Sequence, residues 1–342
     1  MNEQKRTELG VIDSLSLGFS MVGRHPWLFL LPVLLDLFLL FGPRLSIEPL
    51  TKSLASWLRV EPSLPEDMQQ MVTFSRQMLE QAGEHWNLLS MLAHGAVRLP
   101  SFIADAVSIA PVPTSRPSLT MEVTSFAAAL GWMFLLGLAG TFLGGLYLTL
   151  IADRLPRPEQ EEGDQNDEIS TERSLLHRLG FIWLRLIEWA LLMLAGMLLI
   201  LIPVSLLSAV VGLIYPHLAP ATVSFLSITG VWITFWAGFL LRFVTTAIVL
   251  DGVNTLQAMW RSVNVVWRNL WSTLGLTLLS YVIKAGFGFI WQRVSYTSWG
   301  IGVSILGTAY IGAGLSAAGL AFYADRCRHW LEARRPRTAS TN

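Results

Sequence analysis

Residues 186–213 read LIEWALLMLAGMLLILIPVSLLSAVVGL and contain a single charged side chain, Glu188. A helix needs about 20 predominantly apolar residues to cross the hydrocarbon core of a bilayer, which is roughly 30 Å thick. This stretch is longer than that and is interrupted by only one proline. It therefore predicts a transmembrane helix, and with it an integral membrane protein.

The composition of the 342-residue chain supports this class. Hydrophobic residues make up 53% of the sequence and charged residues 14%, whereas soluble domains carry about 25% charged residues. The 24 basic and 24 acidic residues balance, so net charge gives no indication of a nucleic-acid partner. A single cysteine, Cys327, excludes an internal disulfide framework and a metal site built from several cysteines.

Apolar stretches of similar length predict six membrane spans along the chain. They cover residues 27–41, 126–151, 186–213, 223–249, 272–291 and 300–323. The first is the shortest and reaches across only if Arg24 and Arg44 extend to the two membrane surfaces. Among the N-terminal segment, the short loops and the C-terminal tail, Lys and Arg concentrate in the N-terminal segment, the second and fourth connections and the tail. The long first connection carries six basic residues, but long translocated segments escape the rule. The positive-inside rule therefore predicts that both termini lie in the cytoplasm.

The connections between the spans differ in character. Residues 42–125 form a long external connection, and near-helical spacing of apolar residues between 65 and 92 predicts one or two amphipathic helices there. Residues 156–172 are acidic and predict a cytoplasmic linker. Residues 324–342 form a basic cytoplasmic tail.

Amphipathic stretches precede the odd-numbered spans and suggest a repeated unit. Before the first, third and fifth spans, apolar and aromatic residues recur on one helical face, and such helices lie in the plane of the membrane with Trp at headgroup depth. The residues are Ile12, Leu15, Phe19 and Val22 before the first span, Leu175, Leu176, Leu179 and Trp183 before the third, and Val253, Leu256, Trp260, Val263 and Trp267 before the fifth. The predicted fold is an all-α polytopic membrane protein: six transmembrane helices in three pseudo-repeated hairpins, each preceded by a cytoplasmic interfacial helix.

The region around the fourth and fifth spans carries a motif. It consists of an acidic residue with glycine, an Ala-x-x-x-Ser helix and a basic-Asn-x-Trp entry to the next span: Asp251, Gly252, Ala258, Ser262, Arg268, Asn269 and Trp271. The motif resembles a bacterial six-span family that includes the membrane domain attached to some glycerophosphoryl diester phosphodiesterases, although Asp251 stands where that family commonly has Glu. The resemblance implies a membrane-embedded module of the bacterial plasma membrane. It does not imply phosphodiesterase activity, because that chemistry sits in a separate soluble barrel for which this chain has no room.

Ionisable residues inside membrane spans are costly and are candidates for function. Asp36 in the first span and Lys284 in the fifth fall at similar predicted depths, and Arg242 lies late in the fourth span. One interpretation is that Asp36 and Lys284 form a site for an ion, a proton or a polar substrate. The alternative, which we favour, is structural: the two residues form an ion pair that shelters both charges from lipid, or Lys284 extends its ammonium group outward to the membrane surface.

Small residues at four-residue spacing predict places where helices pack closely. Gly140 and Gly144 in the second span and Ala309, Ala313 and Ala317 in the sixth form two such series. The simplest use of both is packing within the chain, with these two spans against each other.

The sequence contains none of the common catalytic motifs, and its six histidines are scattered. We expect no catalytic residues, no metal site and no cofactor. The preferred function is therefore a non-enzymatic membrane protein with a structural, assembly or regulatory role. The alternative is a small permease or carrier that uses Asp36 and Lys284. The expected partners are the lipid bilayer and a membrane or cytoplasmic protein, without nucleic acid.

Overall fold

The computed structural model describes residues 9–58, 66–106, 119–156, 168–215, 217 and 219–334. Most of these residues are helical, as predicted, and they divide into two compact units. The first unit comprises Met1–Ser14, Pro156–Thr277 and Gly319–Asn342, and the second comprises Leu15–Leu155 and Leu278–Ala318. Most of the predicted acidic linker and the end of the basic tail lie outside the described residues.

The first unit contains α7 (Glu168–Ile214), α8 (Ala219–Leu240), α9 (Val244–Asp251), α10 (Thr255–Arg268) and the start of α11 (Leu270–Val294). The last part of α12 (Ser298–Arg334) also belongs to it. α8 packs on α7 and α10, and α9 packs on α10. Among the described residues of α7, the most apolar stretch is not buried by protein at all, which is typical of a helix that faces lipid.

The second unit contains most of α1 (Val11–Arg24), a 3₁₀ helix (Pro26–Phe29), α2 (Leu30–Phe41), α3 (Glu48–Trp57), α4 (Glu66–His85) and α6 (Phe126–Ala152). Between α4 and α6 lie a second 3₁₀ helix (Leu88–Leu92) and the short α5 (Phe102–Ala106). Strands β1 (Arg44–Ser46) and β2 (Thr120–Glu122) pair in parallel. The pairing brings the end of α2 close to the start of α6.

Five helices in the described part of the chain are long and apolar enough to cross a membrane. They are Phe126–Ala152, His177–Ile214, Ala221–Asp251, Leu270–Val294 and Trp299–Glu332. They contain the second to sixth predicted spans. The prediction of long apolar helices at these five places is therefore confirmed. The arrangement in three repeated hairpins stays a prediction.

The first predicted span is less regular than the others. α1 and the helical stretch Pro26–Phe41 are bent by 97° relative to each other at His25-Pro26, because a residue before proline is disfavoured in the α conformation. A sixth crossing results only if this bent pair counts as one span. On α1, Leu15 and Val22 are buried, and Ile12 is 75% exposed. The position of α1 in the plane of the membrane stays a prediction.

The long connection 42–125 contains the predicted amphipathic helix as α4, which packs on α3. The path of its later part was not predicted from the apolar pattern. Residues 88–106 leave the region of the strands and enter the second unit between its long helices, where most of them are buried. This placement creates the site considered next.

Candidate functional site

Residues 88–106, which we call the inserted segment, run along the long helices of the second unit. Just before the segment, Asn87 pairs with Ser46 of β1, and its side-chain Oδ1 accepts hydrogen bonds from Leu45 N and Leu89 N. The segment then consists of the 3₁₀ helix, a turn at 94–98 and α5. It is anchored at the strands, beside the Phe126 end of α6.

Glycines on α6 allow the inserted segment to approach its backbone. A Cβ added to Gly140 would lie 2.7 Å from the carbonyl oxygen of Met91, and one added to Gly144 would lie 2.6 Å from that of Val97. At 1.5 Å per residue, Gly144 is about 27 Å from Phe126 along a helix about 40 Å long. The contact at Gly144 therefore lies about two thirds of the way along α6 from its Phe126 end.

A second helix also contacts the inserted segment within its apolar length. A Cβ added to Gly312 of α12 would lie 2.1 Å from Cβ of Pro100. Gly312 is about 21 Å from the start of α12 at Ser298. The segment is thus flanked by the interiors of two apolar helices, both of which carry glycine at the point of contact.

Hydrogen bonds satisfy much of the non-helical backbone in the turn. Leu99 N donates to Ala93 O at 3.0 Å, and His94 and Arg98 form an antiparallel bridge. Ala96 N donates to the side-chain Oγ1 of Thr141 on α6 at 3.1 Å. Irregular backbone at membrane depth is tolerated only when it is buried in protein or lines a water-filled cavity, and these bonds supply the protein partners.

Asp36 holds the start of α5. Its carboxylate accepts hydrogen bonds from Ser101 Oγ, from Phe102 N at 2.8 Å and from Ile103 N at 3.2 Å. Asp36 is fully buried, and Ser101 is 1% exposed. The carboxylate therefore works as the cap of α5, where it satisfies backbone N–H groups that have no partner inside the helix.

Asp105 of α5 is the centre of a charge cluster. Its Oδ2 lies 3.2 Å from Nζ of Lys284, and its Oδ1 lies 3.3 Å from Nη2 of Arg98 and 3.6 Å from Nε2 of His94. The Lys284 and Arg98 side chains are 57% and 66% exposed. One carboxylate thus faces two permanent cations and a titratable imidazole.

The structure gives Asp36 and Lys284 different partners from the one predicted. The expected direct ion pair is wrong: Asp36 caps α5, and Lys284 pairs with Asp105. The two residues still belong to one site, because α5 carries a partner of each at its two ends. Arg242, the third predicted residue, belongs to the first unit, at the break between α8 and α9.

Four residues of this site were not predicted from the sequence: Asp105, Arg98, His94 and Ser101. They lie outside the predicted spans, in a connection interpreted as external, so they were not treated as membrane residues. A usable signal was the apolar stretch 99–104 with serine near its start and aspartate directly after it. Serine ahead of apolar residues is a common start signal of a helix, and an apolar helix of this kind needs a buried environment.

The predicted packing of the second span against the sixth does not occur at Gly140 and Gly144. Ala309, Ala313 and Ala317 are fully buried. The helix-to-helix role predicted for Gly140 and Gly144 is wrong, because the backbone next to them belongs to the inserted segment. Close packing of α12 with a helix occurs elsewhere, at Gly18 of α1, where an added Cβ would lie 2.5 Å from Ala318 N.

The motif residues of the first unit have a structural role at the break between α8 and α9. Ser262 Oγ donates to Leu240 O at 2.7 Å and accepts from Phe243 N at 3.1 Å, which replaces helical bonds lost at the break. Ala258 is fully buried beside it on α10. Gly252 ends α9 with φ 61°, a left-handed conformation that favours glycine.

The remaining motif residues divide between a buried cluster and the surface. Asp251 Oδ2 accepts from Arg261 Nη1 at 2.6 Å and from Tyr323 OH at 2.8 Å. Burial lowers the pKa of Arg261, but its hydrogen bond to Asp251 and the negative charge there outweigh burial and leave that pKa above its ordinary value. Asn269 Nδ2 donates to Val265 O at the end of α10. Arg268 and Trp271 are exposed.

The cluster around Asp105 suits the binding of a charged or polar solute better than it suits catalysis. It offers cationic N–H donors with large exposed fractions and one carboxylate whose oxygens already have partners. Among the described residues, no group of three or more His, Cys, Asp or Glu side chains is placed to hold a metal ion.

Comparison with known proteins places the chain in a family but gives no activity. No curated protein matches the chain, and no solved structure matches it. One family model matches residues 88–322, a domain of unknown function called DUF7847. The match begins at the first residue of the inserted segment and continues into α12. It covers more than half of the sequence, and the chain therefore belongs to the DUF7847 family.

Proposed function

We propose that this protein is a six-span permease or carrier of the bacterial plasma membrane, in which the inserted segment lines the path of a charged or polar solute. Both termini lie in the cytoplasm in this proposal, because Lys and Arg concentrate in the connections on that side. The bent pair of α1 and residues 26–41 then supplies the first interfacial helix and the first span. The strands and the inserted segment face the exterior.

The observation that carries the proposal is that two basic side chains are exposed beside helices long and apolar enough to cross a membrane. Lys284 is about 15 Å from the Val294 end of α11, and its side chain is more than half exposed. An ammonium or guanidinium group in contact with hydrocarbon is strongly unfavourable. Exposed Lys284 and Arg98 side chains therefore favour a water-filled cavity that opens along the inserted segment.

In this proposal Asp36 has a structural role at the same site. Its two oxygens are occupied by groups of α5 and of Ser101 just before it, so it holds the inserted segment and does not contact a solute. This division separates the two residues that the sequence had grouped: Asp36 positions the segment, and Lys284 with Arg98 faces the cavity.

The cavity can be tested by labelling with a membrane-impermeant maleimide in intact cells. In a chain with Cys327→Ser, we expect Arg98→Cys to react from the outside, because the cavity carries water to it. Leu135→Cys on α6 is the matched control: Leu135 is 57% exposed but faces lipid in this proposal, so it should stay unlabelled. An unreactive Arg98→Cys, or equal reaction of both variants, would contradict the water-filled cavity.

Transport itself can be tested with purified protein in liposomes. We expect vesicles containing the protein to swell faster than empty vesicles in at least one of three iso-osmotic media, as followed by light scattering. The media are potassium succinate and potassium chloride, each with valinomycin so that potassium can follow the anion, and glycerol. Lys284→Gln should remove the increase, whereas Lys52→Gln on the surface of α3 should keep it. Lys52 is a fair control because it also pairs with a carboxylate, Glu48, and is similarly exposed. Swelling equal to that of empty vesicles for all three solutes would leave the structural or regulatory role as the better explanation.

A further inference from the structure

The cationic groups of the cluster outnumber the carboxylate that they share. Among the described residues, the side-chain hydrogen bonds and ion pairs of Arg98 and Lys284 go to Asp105. A guanidinium has five N–H donors and an ammonium has three, so most of their donors remain for another acceptor. The nearby carboxylate of Asp36 does not balance them, because its oxygens are already used by Ser101, Phe102 and Ile103.

Asp105 is a carboxylate bound by basic side chains from other segments of the chain. One oxygen faces Lys284, and the other faces Arg98 and His94. Charge-assisted bonds of this kind are the usual means of recognising a carboxylate. The carboxylate itself is supplied by a helix of only five residues, whose other end is held by Asp36. The basic side chains and the carboxylate therefore come from different elements. Lys284 belongs to α11 and Arg98 to the turn, whereas Asp105 belongs to α5.

We infer that Arg98 and Lys284 form a binding site for a small carboxylate solute, and that Asp105 occupies this site as an internal competitor when the solute is absent. This inference rests on the proposed function and names its substrate class. An incoming carboxylate takes the donors of Lys284 and Arg98, and Asp105 gives up at least one of its contacts. No covalent bond is made or broken, and the exchange places one carboxylate where another was bound.

The inference predicts opposite effects for the two sides of the ion pair. Removing the competitor with Asp105→Asn should tighten binding of succinate, by about tenfold if Asp105 occupies the site nine-tenths of the time. Lys284→Gln should weaken it by about tenfold or more, because it removes a charged hydrogen-bond donor. In the double variant that carries both Asp105→Asn and Lys284→Gln, the tighter binding of succinate expected from Asp105→Asn should be lost.

Binding of succinate can be measured by calorimetry on the full chain in nanodiscs of phosphatidylcholine, with Lys52→Gln as the unchanged control. The thermal midpoint of each variant without succinate shows whether it is folded. Tighter binding by Asp105→Asn together with weaker binding by Lys284→Gln supports the inference. Binding by Asp105→Asn that is equal to or weaker than that of the unaltered protein overturns it, and so does unaltered binding by Lys284→Gln or an absence of succinate binding.

The same measurements separate this inference from the proposed function. If succinate binds with the expected pattern but vesicles do not swell, the carboxylate site stands and the carrier role fails. If vesicles swell through Lys284 but succinate binding does not follow the pattern, the carrier role stands and the carboxylate site fails.

Discussion

Asp36→Ala should lower the stability of the protein by about 3 kcal/mol or more, because each buried donor left without an acceptor costs about 1–3 kcal/mol. The substitution leaves three donors in a buried environment: Ser101 Oγ and the backbone N–H groups of Phe102 and Ile103. α5 has only five residues, so it cannot hold its position through helical bonds alone. We therefore expect the inserted segment to detach from α2 at this point.

Two measurements follow the detachment. The first is the temperature at which half of the purified protein is lost from the monodisperse peak in detergent. The second uses Ala104→Cys in the Cys327→Ser chain. Ala104 is 5% exposed, so the cysteine should react slowly with maleimide unless Asp36→Ala has released α5.

Asp36→Asn and Lys284→Met are the controls for this prediction. The introduced amide keeps one acceptor oxygen, so Asp36→Asn should lose less stability than Asp36→Ala. Lys284→Met removes the residue that sequence analysis paired with Asp36, but its side chain is exposed, so the effect on stability should be small. If Lys284→Met destabilised the protein as much as Asp36→Ala, a direct pair of these residues would explain the data better than the cap of α5.

Gly140→Val should displace the inserted segment from α6. A Cβ at this position would lie 2.7 Å from Met91 O and 2.8 Å from Leu92 O, and both are backbone atoms that cannot rotate away. Overpacking usually costs about 1–3 kcal/mol of stability. Because neither contact is with a side chain that could move aside, we expect Gly140→Val to cost about 3 kcal/mol or more. Ala93→Cys, which replaces a residue that is 1% exposed, should become reactive to maleimide in this variant.

Gly137→Val provides a matched control one turn away on the same helix. A Cβ at Gly137 meets nothing within 4 Å, so the same change in helix propensity occurs without a collision. We expect the thermal midpoint to stay near that of the unaltered protein and Ala93→Cys to stay protected. Equal destabilisation by both valines would indicate that glycine is required for the helix and not for the contact with the inserted segment.

Hydropathy predicted the long helices because a membrane span depends mainly on local composition. α6, α7 and α11 each appear where a long apolar stretch occurs, and within a bilayer the backbone of such a stretch can satisfy its hydrogen bonds only as a helix. The same reasoning was weaker for residues 27–41. There His25-Pro26 separates two short helices, and their crossing of the membrane depends on how they pack.

The inserted segment could not be predicted in the same way. Its residues have mixed polarity, and it is stable beside α6 only because Gly140 and Gly144 leave space and because Thr141 and Asp36 supply hydrogen-bond partners. Those partners are far from it in sequence. The glycine spacing was visible, but it fits a helix and a non-helical backbone equally well, so the partner of α6 was predicted wrongly.

The sequence by itself determined the class of protein, the positions of the apolar helices and the presence of costly charges within them, because each depends on residues close together in the chain. Tertiary structure alone decided which charges meet. Asp36 and Lys284 fall at similar predicted depths, yet α5 lies between them and offers N–H groups to one and a carboxylate to the other. Depth along separate helices is a one-dimensional quantity, whereas an ion pair needs two side chains to converge from different directions.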